Sequence, residues 1–364
     1  MNTDSSPQAL LLVSFGGPEG PDDVIPFLEN VLRGRNVPRE RMLEVAEHYH
    51  NFGGKSPIND QNRALIAALE AVLATEGPAL PVYFGNRNWH PMLADTLTQM
   101  RDDGVTHALA FVTSAFSSYS GCRQYRENIA AAQAAVGEGV PRIDKLRAFH
   151  NHPKFIEVMT IRTQEALDQI EPARRDAVTL LFSAHSIPEE MARHCAYADQ
   201  LRDAAGFVAA GVGAVAAEGG TSGAALDWRL VYQSRSGPPS QPWLGPDVSD
   251  AIDSAADAGR KAVVVVPIGF ISDHMEVIHD LDQEAAERAA ARGVQMVRAA
   301  TAGTHPVFVS MVRDLIAERL SGTSERPCVG SRGPNPDVCL TDCCPAPQRP
   351  AGPPAGAAGG RPAQ

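Results

Sequence analysis

The chain has 364 residues, 44% hydrophobic and 21% charged, enough to bury a sizeable core and to build about two domains. Acidic residues outnumber basic ones 43 to 32, and the net charge of −11 argues against a broad nucleic-acid-binding face. No basic stretch precedes an apolar run at the N-terminus, and the longest apolar runs, such as Ala262–Val266, are far too short to span a bilayer. The expectation is a cytoplasmic protein with no transmembrane segment and no nucleic-acid partner.

In chain order, short β-rich apolar runs alternate with segments of helical period. ALLLVSF precedes helical stretches at 22–32, 39–51 and 60–73, and LPVYFG and HALAFVT then lead to a helix over 123–135. HNHP breaks the pattern near 149–153, a candidate domain boundary, before a helix over 153–170. VTLLFSA, a helix over 188–210, WRLVYQS, a helix over 247–258, AVVVVPIGF, a helix over 276–291, VQMVRAA and a helix over 305–320 complete the body. Such alternation predicts stacked βαβ units around parallel sheets, with ligands at the carboxyl ends of the strands. LLVSFGGPEG and VVVPIGFISDH echo one another, which suggests two similar domains. From Pro345 onward, Pro, Gly and Ala dominate and no packed structure is expected.

FSAHSIPEEM places His185 directly after a buried strand and before a helix that Pro188 can start, so the imidazole should project into whatever cleft the strand ends form. A lone histidine in that position is more often a satisfied core or capping residue, and the neighbouring motif shifts the balance. In GFISDHMEVIHDLDQEA, Glu276, Asp280 and Glu284 stand at i, i+4 and i+8, together with Asp273, His274 and His279. Three carboxylates on one face of an α-helix repel one another unless a cation compensates, and oxygen with imidazole suits ferrous iron and other first-row metals. A solvated acidic face is the plainer alternative. NFGGKSPIND reads as a helix entry able to bind an anion, SAFSSYSGCRQYRENIA supplies hydroxyls, Tyr119, Tyr125, Arg123 and Arg126, and VYQSRSGPPSQPWLGPDV is a stiffened loop with Arg235 and Trp243. Together they suit a flat, apolar, carboxylated ligand.

Taken in order from about Leu11 to Leu320, LLVSFGGP, GGKSPIND, FSAHSIPEEM, VYQSRSGPPSQPWLGPDV and GFISDHMEVIHDLDQEA resemble the ferrochelatase family, which inserts ferrous iron into porphyrins. The resemblance implies an α/β fold of two similar Rossmann-like, chelatase-type domains with parallel sheets and a cleft between them. These would span 1–150 and 151–325, followed by a cysteine-containing extension at 326–364. It implies that His185 and Glu276 are the catalytic and metal-binding pair, with His274, Asp280 and Glu284 as an outer shell or delivery path. A near-neutral base and a carboxylate fit the task independently, because insertion removes two pyrrole protons while the cation sheds water. Ser56 and Tyr125 would contact the porphyrin, and Arg33, with His48 and Tyr49, would grip its propionates. Phe15 stands where many relatives place an iron-ligating tyrosine. A phenylalanine can stack on the macrocycle but cannot coordinate.

Six cysteines in such a chain read as thiols or metal ligands rather than a disulfide framework. They resemble the iron–sulfur form of the family, with Cys122, Cys339, Cys343 and Cys344 holding a two-iron two-sulfur cluster and Cys328 as an alternate; zinc binding or idle thiols are the alternatives. The implied substrates are ferrous iron and coproporphyrin III. The alternatives are protoporphyrin IX, a cobalt or nickel tetrapyrrole chelatase, or a non-catalytic haem or metal carrier. The expectation is a monomer, with a downstream enzyme of the haem pathway as candidate partner.

Overall fold

The computed structural model describes residues 6–34, 37–218, 226–237 and 240–347. Strands β1 (Ala9–Ser14), β2 (Val82–Asn86), β3 (His107–Val112) and β4 (Arg142–Lys145) form one parallel sheet in the order β2-β1-β3-β4. Strands β5 (Val178–His185), β6 (Asp227–Gln233), β7 (Ala262–Val266) and β8 (Gln295–Arg298) form a second parallel sheet in the order β6-β5-β7-β8. The central strands β1, β3 and β7 are buried along their whole length, as strands covered by helices on both faces must be. The polar β4, sequence RIDK, went unrecognised because it is a half-exposed edge strand paired only with β3.

Strand order is the same in both sheets, so β5 is the counterpart of β1 and β7 of β3. This corrects the sequence echo, which matched β1 with β7. Buried parallel strands all read as unbroken apolar runs, and only the crossovers assign their positions. The turn after β1, bearing Phe15, therefore corresponds to the turn after β5, bearing Ser186.

The helices are α1 (Val24–Val31), α2 (Arg39–Asn51), α3 (Ile58–Glu76), α4 (Leu93–Asp102), α5 (Gln124–Val136), α6 (Pro153–Leu167), α7 (Glu189–Arg193), α8 (Tyr197–Glu218) and α9 (Val248–Asp257). After β7, α10 starts as an α-helix at Met275–Val277, widens to a π-helix over Ile278–Ala285 and ends as an α-helix at Ala286–Ala291; α11 is Pro306–Ser321. No expected helix covers α4, and the single helix expected over 188–210 breaks between Arg193 and Tyr197. A second π segment, Tyr119–Arg123, follows β3, so both sheets have a π-helix after the equivalent strand.

Apolar side chains of both sheets share one core, in which Phe149 lies 5.4 Å from Phe111 and 6.0 Å from Phe308 of α11. The HNHP segment lies inside this core, and residues 327–335 strap across it. Arg147 is paired with Glu318 at 2.7 and 2.9 Å and donates to the Pro327 carbonyl at 3.0 Å. Asn151 donates to the carbonyls of Val329 and Gly333, while Asn335 donates to the Ala148 carbonyl and to His150 Nδ1. The part of the Pro345 tail beyond residue 347 lies outside the described residues.

Candidate active site

His185 is the last residue of β5, and its Nδ1–H donates to the Ser186 carbonyl at 2.5 Å. A carbonyl only accepts, so the proton sits on Nδ1 and the basic lone pair on Nε2. That Nε2 faces Glu276 Oε2 at 3.5 Å, with both side chains partly exposed. Two features place the strand end. The Tyr197 hydroxyl donates to the His185 carbonyl at 3.0 Å, and Gly269, after β7, packs so close to Ala184 that a Cβ there would lie 2.7 Å from the alanine Cβ. His274 caps α10 beside Phe270, and burial holds its pKa below the ordinary histidine value.

The π widening changes which residues of α10 meet. A π-helix closes i→i+5 bonds, so the α-helical spacing of Glu276, Asp280 and Glu284 does not make one row. Instead Glu276 turns to His185, while His279, Asp280 and Glu284 place ligand atoms within 4.8 Å of one another, as no other described group of three such residues does. His279, mentioned in the motif but given no role, is therefore part of the site. Its ring stacks on His48 of α2 at 4.0 Å, and its Nδ1 lies 3.3 Å from Asp280 Oδ1. Asp280 Oδ2 accepts from the Ser234 hydroxyl and the Gln233 amide. Ser234 has φ 59° and Cys344 φ 51°, the two non-glycine residues with positive φ among the described residues; such conformations persist where surrounding structure enforces them, often at functional sites. Burial pushes the Glu284 carboxyl up.

Phe15, 36% exposed, forms an apolar wall after β1, packed edge-on to Phe27, which in turn contacts Tyr49 and Trp89. Met275 of the second half joins this cluster. Tyr49 is buried, and burial, with Glu276 nearby, raises its pKa. Sequence reasoning passed over Arg87, in the NRNWHP turn after β2. Its guanidinium lies 5.4 Å from the Phe15 ring centre and 4.7 Å from that of Tyr125.

Other expected contacts sit elsewhere. Tyr125 is buried among core residues of the first sheet, Ser56 is 2% exposed with its N–H taken by the Pro18 carbonyl, and Lys55 is paired with Asp60 at 2.6 Å. The structure thus does not open Ser56 or Tyr125 to the cleft, because both fill core space: a Cβ on Gly17 would collide with Ser56. Arg33 is exposed just beyond α1.

The structure gathers Cys122, Cys339, Cys343 and Cys344 around one cavity of about 230 Å³, and Cys328 is not part of its lining. Cys122 comes from the π segment after β3, the counterpart of the segment that carries Asp280. Cys343 Sγ lies 3.6 Å from Cys344 Sγ, and Cys339 shares hydrogen bonds with both Cys122 and Cys343, so the four thiols are linked in a row. Tetrahedral metal–thiolate bonds of about 2.3 Å space neighbouring sulfurs roughly 3.8 Å apart, so the adjacent pair can share one metal, its reach made possible by the left-handed Cys344 backbone. The bond between Cys122 and Cys339 keeps the proton on Cys122, raising its pKa, and holds the Cys339 thiol down to about 7.

Two parallel sheets with a base, carboxylates and thiols at their strand ends define an α/β enzyme that handles metal. Comparison with known proteins makes that class specific. The ferrochelatase family model matches residues 7–320. The chain is 57% identical to a ferrochelatase of Rhodopirellula baltica over 98% of this chain and 97% of that protein. It is 54% identical to the coproporphyrin III ferrochelatase of Frankia alni (94% and 87%) and 49% identical to that of Streptomyces coelicolor (94% and 95%). Among solved structures, SirB from Bacillus subtilis with Fe3+ superposes with a TM-score of 0.51 at 12% identity, covering 86% of this chain and 98% of that one. This last likeness bears on fold alone. The chain belongs to the ferrochelatase family, lyases that insert ferrous iron into a porphyrin. No helix among the described residues is long and apolar enough to cross a membrane.

Proposed function

We propose that this enzyme inserts ferrous iron into coproporphyrin III, acting in the cytoplasm as a monomer that hands its product to a downstream enzyme of the haem pathway. The observation that carries the site assignment is the convergence of His185 Nε2 and Glu276 Oε2 at 3.5 Å, with Nδ1 tied to a carbonyl. Nε2 is free to accept a pyrrole proton, and Glu276 is placed to take the second proton or to ligate the incoming cation. His279, Asp280 and Glu284, next along α10, would receive ferrous iron and pass it inward, with Asp280 held by Ser234 and Gln233. His274, which caps α10 beside Phe270, would belong to the outer shell.

Phe15 supplies a face on which the macrocycle stacks, and Arg87 supplies a cation suited to a propionate beside it. Arg33 remains a proposed propionate contact, while the burial of Tyr49, Ser56 and Tyr125 suits indirect support of the cleft wall. The substrate assignment draws on relatives named as coproporphyrin III ferrochelatases at 49–54% identity. The domain division at 1–150, 151–325 and 326–364 is proposed with it.

Cys122, Cys339, Cys343 and Cys344 would hold a two-iron two-sulfur cluster, whose chemistry is one-electron exchange or structural cross-linking. Cys328 lies outside that cavity and is not needed. Anaerobic incubation with ferrous iron and either free coproporphyrin III or protoporphyrin IX, followed by visible absorbance, tests the activity. Faster turnover of coproporphyrin III is expected. His185→Ala and Glu276→Gln are each expected to abolish insertion while retaining porphyrin binding, and wild-type turnover in either would remove that residue from its role.

A further inference from the structure

The segment after the strap, which carries Cys339, Cys343 and Cys344, also carries the most exposed large apolar side chains among the described residues. Val338 and Leu340 are both 77% exposed, whereas the next, Val215, is 47% exposed. The two flank Cys339 directly, so the apolar patch and the thiol share one loop. Isolated surface apolar residues need no explanation, but a pair at the mouth of a thiol-lined cavity marks an interaction site.

The cavity rim is cationic in a chain whose net charge is −11. Arg123, Arg126, Lys145 and Arg319 line it, against Asp144 and Asp337. Asp144 is matched by Arg319 at 3.0 Å and Arg142 at 2.7 Å, Asp337 by Arg326 at 2.5 Å, and Arg123 by Glu127 at 2.9 Å. Arg126 donates to the Leu340 carbonyl at 3.3 Å and Lys145 to the Leu146 carbonyl at 3.0 Å, both neutral acceptors, so the rim carries more positive than negative side chains among the described residues. The chain beyond residue 347 contains Arg349 and Arg361 and no Asp or Glu, which makes it a poor match for a cationic rim.

The four thiols are not equally accessible. Cys122 and Cys344 are buried and Cys339 and Cys343 are half-buried, but of these last two it is Cys339 that stands between the exposed Val338 and Leu340.

We infer that the Val338–Leu340 loop and its Arg126–Lys145 rim form the docking surface for an acidic iron–sulfur carrier protein, with Cys339 the first thiol to capture the incoming cluster. The inference rests on the reading that the four cysteines hold a two-iron cluster. The carrier dimer holds the cluster through four thiolates, two of its own and two of bound glutathione. Cys339 displaces one of them from iron, and Cys122, Cys343 and Cys344 displace the others. Four thiols of this chain release protons as those four thiolates take them up, and no electron changes hands.

The test uses the full chain, freed of cluster, and a monothiol glutaredoxin chosen for net negative charge and loaded with a two-iron cluster. Transfer is followed by the visible circular dichroism of the cluster, with inorganic iron and sulfide as the parallel source. The Val338→Ser/Leu340→Ser variant changes only exposed side chains and should fold normally. It is expected to accept cluster from the carrier about tenfold more slowly, yet to reconstitute from iron and sulfide like the wild type. Transfer to the wild type should slow as salt rises, because the steering charges are screened. Equal carrier rates in the two proteins overturn the docking surface. So does self-association of the wild type that the variant loses, which assigns the patch to a second copy, or faster transfer after removal of residues 348–364, which assigns it to the chain itself. Failure of both sources to give a cluster sinks the cluster reading instead.

Discussion

Replacing Gly269 with alanine should damage catalysis from outside the chemical site. A Cβ at this position would stand 2.7 Å from Ala184 Cβ and 2.8 Å from Ala184 Cα, where carbon atoms normally pack at about 3.5–4.0 Å. Roughly 1 Å must therefore open between the turn after β7 and the end of β5. Neither side yields cheaply: Ala184 has no flexible side chain, and the Gly269 N–H is bonded to the Ser183 carbonyl at 3.0 Å. His185 follows Ala184 directly and Glu276 lies seven residues beyond Gly269, so the displacement falls on the 3.5 Å separation between them. Overpacking of this kind costs about 1–3 kcal/mol of stability, and a misplacement near 1 Å costs on the order of 100-fold in rate. Steady-state insertion, read from loss of free-porphyrin fluorescence under anaerobic conditions, should show a kcat lowered about 10- to 100-fold with porphyrin KM little changed. Gly213→Ala is the control. Gly213 lies inside α8 with open space around the added methyl, and a gain of about 0.5–1 kcal/mol is expected there. Wild-type kcat and an unchanged unfolding midpoint in Gly269→Ala would refute the argument that this contact positions the pair.

Asp280→Ala removes the partner of His279 and the acceptor for Ser234 and Gln233. The KM for ferrous iron should rise about 10- to 100-fold, with porphyrin KM unaffected; the reverse split would remove the iron-delivery role. Arg147→Met leaves the buried Glu318 without its main partner and should cost about 3–5 kcal/mol in urea unfolding, much of it recovered by adding Glu318→Leu. No recovery would show that the strap contact to Pro327, not the buried charge, dominates. Burial holds His150 and His152 down to about 4, and both use Nδ1 as an acceptor. Because their folded values lie below the ordinary 6.5, the unfolded chain takes up protons first as pH falls. Their contribution is therefore intact above pH 6.5 and is lost between about 6.5 and 4, by up to roughly 3 kcal/mol each. Unfolding midpoints measured across that window in wild type and in His152→Asn should converge as pH falls; parallel curves would count against it.

Much of this was legible in the residues. Unbroken runs such as ALLLVSF and AVVVVP can be buried on both faces only in a helix-covered parallel sheet, and the motifs at their ends placed His185 and Glu276 where such sheets bind ligands. The four cysteines that the family resemblance grouped, Cys122, Cys339, Cys343 and Cys344, line one cavity. Propensity and periodicity are local, and they carry that far.

What tertiary structure decided is everything that depends on packing between distant segments. Periodicity assumes 3.6 residues per turn, so it put Glu276, Asp280 and Glu284 in one row; the π-helical segment, whose His279 stacks on His48 of α2 and whose Asp280 bonds Gln233 of β6, instead groups Asp280 and Glu284 with His279. Residue type marked Ser56 and Tyr125 as contacts, but core packing buried them and brought forward Arg87, which no local signal distinguishes from other arginines. The same holds for His185 and Glu276: their motifs marked them, while the 3.5 Å between them exists only once the ends of β5 and β7 pack together, where Gly269 approaches Ala184 closely.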